Sequence, residues 1–183
     1  MIAVAGQLLT AEQYAELPDN GQPTELVRGR VVAWNLPAPR HGEICIRTVR
    51  IVGRFLDDHD TGRLIGNDSD IIVARDPDTV RGGDVEYFSY ERIPRGPVPA
   101  GYLSVVPELI FEVRSPGDRW SRILAKVADY LEAGVTIVCV LDQQTESCHV
   151  YRPDAPVQVL SADGELTLEV LPGFSTLVKR FFE

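Results

Sequence analysis

Residues 108–141 read ELIFEVRSPGDRWSRILAKVADYLEAGVTIVCVL, and this stretch decides the fold. Glu108 to Arg114 is a run of apolar, β-favouring residues and reads as a strand. Ser115-Pro-Gly-Asp118 breaks that run and supplies a helix start. Arg119 to Ala133 has helical periodicity, with Ile123/Leu124, Val127 and Leu131 turned toward a core. Gly134 follows at the position where a left-handed residue closes a helix. Val135 to Leu141 is an unbroken apolar run of the kind a sheet buries on both faces.

Working outward, the remaining elements fit the same plan. Thr10-Ala-Glu-Gln13 is a capping box opening a short helix to about Leu17, stopped by Pro18-Asp-Asn-Gly21. Glu25 to Trp34 reads as a hairpin turning at Gly29. After the break at Pro37-Ala-Pro39, His41 to about Asp58 is helical, with Cys45, Val49, Val52 and Leu56 as its apolar stripe. Leu64 to Val73 is a strand interrupted at Asn67-Asp-Ser-Asp70, where turn or bulge residues are expected. Asp84 to Phe88 is a short strand, and residues 91–102 are a surface loop. Cys148–Arg152, Val157–Leu160 and Leu166–Leu171 add short strands before a short C-terminal segment. The expected architecture is α/β: one mixed β-sheet flanked by helices, with an extra N-terminal helix and hairpin, forming a single domain over residues 1–183.

Bulk chemistry narrows the function. The net charge of −9 argues against a pure nucleic-acid-binding protein, whose affinity rests on basic phosphate contacts. It argues less against a nuclease, whose site must be acidic to hold a cation. Cys45, Cys139 and Cys148 are scattered and form no C-x-x-C pair, so zinc ligation and a disulfide framework are not expected. The residues at the start lack a basic region followed by a long apolar segment, and no stretch is long enough to span a bilayer. A reducing cytoplasm is the expected setting.

Two acids carry the chemistry. Glu112 lies inside Leu-Ile-Phe-Glu-Val, where a carboxylate is costly to bury unless paired or bound to a metal. Asp84 opens the run Asp-Val-Glu-Tyr-Phe. Phosphodiester hydrolysis needs a hard cation, and Mg²⁺ commonly takes one or two carboxylates with water and substrate oxygens. Arg114 shares a strand face with Glu112 and Lys126 lies on the following helix, so either can stand beside the metal as the cation. His41, at a helix start, and Arg119 and Tyr130, at and on the helix after Glu112, are the substrate-binding candidates. Each residue also has a plainer reading. Asp84 suits a turn, Glu112 a buried ion pair with a residue such as Arg119, Glu25 a solvated edge, Lys126 a snorkelling surface position, and Arg47, Arg50 and Arg54 a solvated helix face.

The pattern resembles a known family. Asp84-Val-Glu, Glu112-Val-Arg-Ser-Pro and Lys126-Val-Ala-Asp-Tyr130-Leu-Glu-Ala-Gly134 look like the PD-(D/E)XK nuclease superfamily. More narrowly, they resemble the bacterial restriction-endonuclease family of Uma-two type, long known as a domain of unknown function. Thr10-Ala-Glu-Gln-Tyr14, Thr24-Glu-Leu-Val27 with Gly29, Pro39-Arg-His-Gly42, Val150-Tyr-Arg152 and Leu171-Pro-Gly-Phe174 extend the likeness over nearly the whole chain. The resemblance implies a restriction-endonuclease-like fold and a Mg²⁺- or Mn²⁺-dependent site that cleaves DNA, in a homodimer. It makes Asp84 and Glu112 the metal carboxylates, Glu25 an acid at the site edge, and Lys126 the lysine moved from strand to helix. Two positions depart from the pattern. Gly83 stands where a proline is expected before the first acid, which is expected to loosen that strand's entry. Arg114 stands for the strand lysine, and as a permanent cation it leaves water activation to Lys126 or the metal.

Two further functions compete with cleavage of DNA. One is a catalytically inactive nuclease-fold protein that binds or assembles. The other is acid–base chemistry on a sugar by paired carboxylates, which the lack of an aromatic-rich binding run disfavours.

Overall fold

The computed structural model describes residues 8–19, 21–34 and 36–183, with the side chains of 67–69 excepted. The leading residues Met1 to Gln7 and the Asp68 side chain, both considered from the sequence, lie outside what is described.

Helix α1 (Ala11–Ala15) opens on the expected capping box, in which Thr10 and Gln13 satisfy each other's backbone N–H groups. Strands β1 (Thr24–Val27) and β2 (Arg30–Ala33) form the hairpin, turned through Arg28 and Gly29 with φ of 49° and 73°. Helix α2 runs Pro39–His59. Its buried line is Ile44, Thr48 and Val52, whereas Val49 of the expected stripe is 41% exposed. The apolar face is therefore rotated by one position from the reading based on Cys45 and Val49.

Strand β3 (Gly62–Ala74) pairs along the whole of β4 (Thr79–Ser89), with a register shift between Gly66 and Ser69 at the expected interruption. Strand β4 starts five residues earlier than the run Asp84–Phe88 indicated. Strand β5 (Leu109–Arg114) leads through α3 (Trp120–Glu132) to β6 (Ile137–Asp142), which lies parallel to β5. Gly134, with φ of 98°, ends the helix as expected. In α3 the buried residues are Ile123, Val127 and Tyr130, while Leu124 faces out. Strands β7 (Ser147–Tyr151) and β8 (Gln158–Leu160) continue the sheet. The stretch 166–171 is shorter as a strand than expected: β9 covers Glu165–Thr167 and pairs with β10 (Ser175–Leu177), ahead of a 3₁₀ turn at Val178–Phe181.

Among the described residues, β1 to β8 make one mixed sheet in the order β2-β1-β4-β5-β6-β7-β8, with β3 on β4. Alternation along β5 sorts its side chains. Leu109, Phe111 and Val113 pack with Ile44 and Val52 of α2 and with the C-terminal residues Leu166 to Phe182. Ile110 packs with Ile123, Val127 and Tyr130 of α3 on the other side.

One edge of β4 carries two partners in turn: β5 pairs at Val85, Glu86 and Tyr87, and β1 pairs at Val80. Between them, residues 81–84 have no strand partner on that edge among the described residues, and the sheet forks.

Candidate active site

The fork leaves backbone polar groups that a continuous ladder would have satisfied, and buried groups of this kind need replacement partners. Side chains provide them. Val113, two residues past the last β5 residue of the β4–β5 ladder, donates its backbone N–H to Asp84 Oδ2 at 2.6 Å. The Gly82 carbonyl accepts from Lys126 Nζ at 3.1 Å and from the Tyr130 hydroxyl at 3.0 Å.

Continuing the β4–β5 register one step past Val85–Phe111 sets Asp84 against Glu112. The two acids thus stand at the mouth of the fork on neighbouring strands. Their partners come from opposite layers. Asp84 Oδ2 lies 3.3 Å from His41 Nε2 on α2, and His41 Nδ1 lies 3.5 Å from Cys45 Sγ one turn on. Glu112 turns to α3: Lys126 Nζ is 2.8 Å from Oε1 and 2.9 Å from Oε2, and the Tyr130 hydroxyl donates to Oε1 at 2.7 Å. Lys126 Nζ also lies 3.5 Å from Glu25 Oε1. Arg81 closes the network, donating to Glu25 Oε2 at 2.6 Å and to Asp129 Oδ2 at 2.7 Å and 2.9 Å.

Electrostatics follow from this burial. Burial pushes the Glu112 carboxyl up to about 7, Lys126 opposes the rise, and Asp84 adds to it. For Lys126, burial works against the ammonium, but Glu112, Glu25 and Asp84 outweigh it and raise its pKa. In this network Lys126 is therefore favoured as a cation. Burial likewise opposes the charge on His41, and the bond to Asp84 overrides it, lifting the imidazole to about 10.

The fork gathers Asp84, Glu112, Glu25, Lys126, Tyr130 and His41. Arg114 is not gathered with them. Its guanidinium donates to both Asp142 oxygens at 3.0 Å and to the Asp118 carbonyl, and it lies over the Trp120 ring. Sharing a strand face with Glu112 did not bring it to the same partner, because Asp142 is its direct neighbour on β6. Arg119 is exposed at the N-cap of α3 and is not the ion-pair partner of Glu112; Lys126 is. Tyr130 is fully buried, so it holds Glu112 and Gly82 in place and presents no surface to a substrate.

Three residues of this region were missed in the sequence reading: Glu86, Arg81 and Asp129. Glu86 is fully buried, its Oε1 accepts the Gly83 N–H at 2.9 Å, and burial pushes its carboxyl up to about 8. Its Oε2 is buried with no hydrogen-bond partner among the described residues. The signal was present as Asp84-Val-Glu86, an acid repeated on one strand among apolar residues. Glu86 also accounts for Gly83. A Cβ at position 83 would stand 2.8 Å from Ile110 Cγ2 and 3.0 Å from Glu86 Cγ and Oε1, and a proline would lack the N–H that Glu86 accepts. The strand entry is not loosened by glycine; Gly83 is paired to Ser69 of β3 and tied to Glu86.

A cleft of about 370 Å³ opens beside the fork, sharing Glu25 and Gly82 with it and walled by Trp34, Leu36 and Pro37. The family model described as "Uma2: Putative restriction endonuclease" matches residues 11–179. The chain belongs to the Uma2 family. Membership of this family is consistent with the PD-(D/E)XK superfamily that the motifs resemble. No curated protein matches the chain. A solved structure from Anabaena variabilis ATCC 29413, titled as a putative nuclease belonging to DUF820, has a TM-score of 0.80 at 18% identity. The match covers 95% of this chain and 97% of that one. At that identity the likeness establishes the nuclease-like fold of this Uma2 protein. Among its described residues, no helix is long and apolar enough to cross a membrane.

Proposed function

We propose that the fork of this Uma2 protein is a metal-dependent endonuclease site that hydrolyses DNA phosphodiester bonds. The observation that carries the reading is the placement of Asp84 and Glu112 opposite each other just past the end of the β4–β5 ladder, with Lys126 bonded to Glu112. The residue types suit a hard divalent cation such as Mg²⁺ or Mn²⁺: the carboxylates Glu25, Asp84, Glu86 and Glu112 lie on neighbouring strands at the fork, and the buried Glu86 Oε2 has no hydrogen-bond partner among the described residues. Asp84 and Glu112 would hold the ion, with Glu25 at the edge. When bound, such an ion offsets charge on the scissile phosphate and lowers the pKa of a coordinated water.

The protein's own residues prepare the site. The Val113 N–H fixes Asp84, and Tyr130 fixes Glu112, so neither carboxylate has to be ordered when substrate arrives. Lys126, held positive, offers charge to a phosphate in a partly buried setting where it is weakly screened. The cleft walled by Trp34 and Leu36 leads DNA to Glu25 and Gly82. The reading takes the chain as one domain acting as a cytoplasmic homodimer, since two strands require two sites.

One observation favours a second reading. Lys126 already has Glu112, Glu25 and Gly82 as partners, which closes the network without a ligand and suits an inactive fold that binds or assembles. Supercoiled plasmid incubated with Mg²⁺ or Mn²⁺ separates the two. Cleavage by the native protein that is lost in Asp84→Ala supports the nuclease. Cleavage unchanged in Asp84→Ala, or none by either protein, rejects it.

A further inference from the structure

His41 and Cys45 sit one helical turn apart at the start of α2, so their side chains stack on one face. That face meets Asp84 of β4, and one donor atom from each of the three lies within 4.8 Å of the other two. The set combines an imidazole nitrogen, a sulfur and a carboxylate oxygen, all buried or half-buried. This chemistry differs from that of the all-carboxylate side of the fork.

We propose that His41, Cys45 and Asp84 form a binding site for one borderline-soft divalent ion, with Zn²⁺ the natural occupant. Imidazole and thiolate ligands select Zn²⁺ over Mg²⁺, which prefers oxygen in octahedral array. His41 Nε2 lies 3.3 Å from Asp84 Oδ2 and His41 Nδ1 lies 3.5 Å from Cys45 Sγ, while one atom from each of the three lies within 4.8 Å of the others; ligands of one zinc ion stand about 3.3–3.6 Å apart, so binding draws the set inward. His41 makes those contacts through different ring nitrogens, so an ion bound by one nitrogen replaces one contact and draws the third donor in. Asp84 needs no reordering, because the Val113 N–H already holds it. Three protein ligands leave a fourth position for water. Binding sends the Cys45 thiol proton and one imidazolium proton to solvent, and the ion then supplies the positive charge that His41 otherwise sets against Asp84.

The site exists independently of whether the fork cleaves DNA. Only its consequence rests on the nuclease reading: Asp84 belongs to both donor sets, so Zn²⁺ held by His41 and Cys45 competes for the carboxylate that a hard ion needs.

The test uses the chain freed of metal by chelator and titrated with Co²⁺ as a spectroscopic stand-in. One equivalent of Co²⁺ is expected to give a thiolate-to-cobalt charge-transfer band with tetrahedral visible bands, removed by Zn²⁺ and not by Mg²⁺. In Cys45→Ser the charge-transfer band is lost, and in His41→Gln the apparent affinity falls by about tenfold or more. On the unmutated protein, Zn²⁺ protects Cys45 from alkylation, read by peptide mass, so the result does not depend on either variant folding. Absence of the band in the native protein, its persistence in Cys45→Ser, or alkylation of Cys45 unaffected by Zn²⁺ overturns the proposal.

Discussion

Lys126 Nζ lies 2.8 Å from Glu112 Oε1 and 3.1 Å from the Gly82 carbonyl, so one side chain of α3 bridges the two strands where the sheet forks. It replaces both a ladder hydrogen bond and a counter-ion. Breaking a buried pair of this kind strands the partner's charge, at about 3–5 kcal/mol. Lys126→Met is therefore expected to lower stability by about 3 kcal/mol in urea unfolding. Adding Glu112→Gln should return part of that loss, because the stranded charge goes with it. An additive double variant would show that the two side chains do not depend on each other.

Asp84 has a different balance of roles. Asp84→Asn keeps the size of the side chain and removes the charge facing His41. Plasmid nicking is expected to fall by about a hundredfold or more, in line with the loss of metal affinity. Binding of Mn²⁺, followed by isothermal titration, should weaken in parallel. Nicking that falls while Mn²⁺ affinity holds would separate Asp84 from the metal.

Glu86 sets a pH dependence of stability. Its carboxyl is raised to about 8 in the folded protein, against about 4.3 in an unfolded chain. Between those values the folded state binds the extra proton, so stability falls as pH rises. The contribution is complete below about 4.3 and lost as pH passes through about 8. Unfolding midpoints of metal-free protein from pH 5 to 8 should decline more steeply in the native chain than in Glu86→Gln. Parallel curves would place the titration elsewhere.

Gly83 is fixed by packing against Ile110 and Glu86. Gly83→Ala is expected to cost about 1–3 kcal/mol as an overpacked core position. That corresponds to a melting point lower by about 3–10 °C for a chain of this size. Gly83→Pro, which puts in the proline that the motif resemblance implied, should cost more, because it also removes the N–H that Glu86 accepts. A proline variant as stable as the native chain would contradict this account of the departure.

The local elements were legible in the sequence because their causes are local. The capping box at Thr10 and Gln13, the Gly29 turn, the left-handed stop at Gly134 and the apolar runs of β5 and β6 depend on neighbours a few residues away. The two acids were legible too, since Glu112 inside Leu-Ile-Phe-Glu-Val needs a special environment wherever the strand lies. The exact face of α2 was not, because helical spacing allowed both the Cys45–Val49 line and the Ile44–Thr48–Val52 line. Only packing on β5 chose between them.

The sequence by itself determined where most strands and helices lie and marked Asp84 and Glu112 as charges carried toward the core. The tertiary structure alone decided their partners. The edge of β4 passes from β5 to β1 across a gap of four residues, and that gap gives Asp84, Lys126 and Tyr130 their backbone partners. The β5–β6 register sent Arg114 to Asp142, and the packing of α3 and α2 on the sheet set Lys126 against Glu112 and His41 and Cys45 against Asp84. The physical reason is that a buried charge or backbone group takes the nearest partner in space, and sheet order, not sequence separation, fixes what is near.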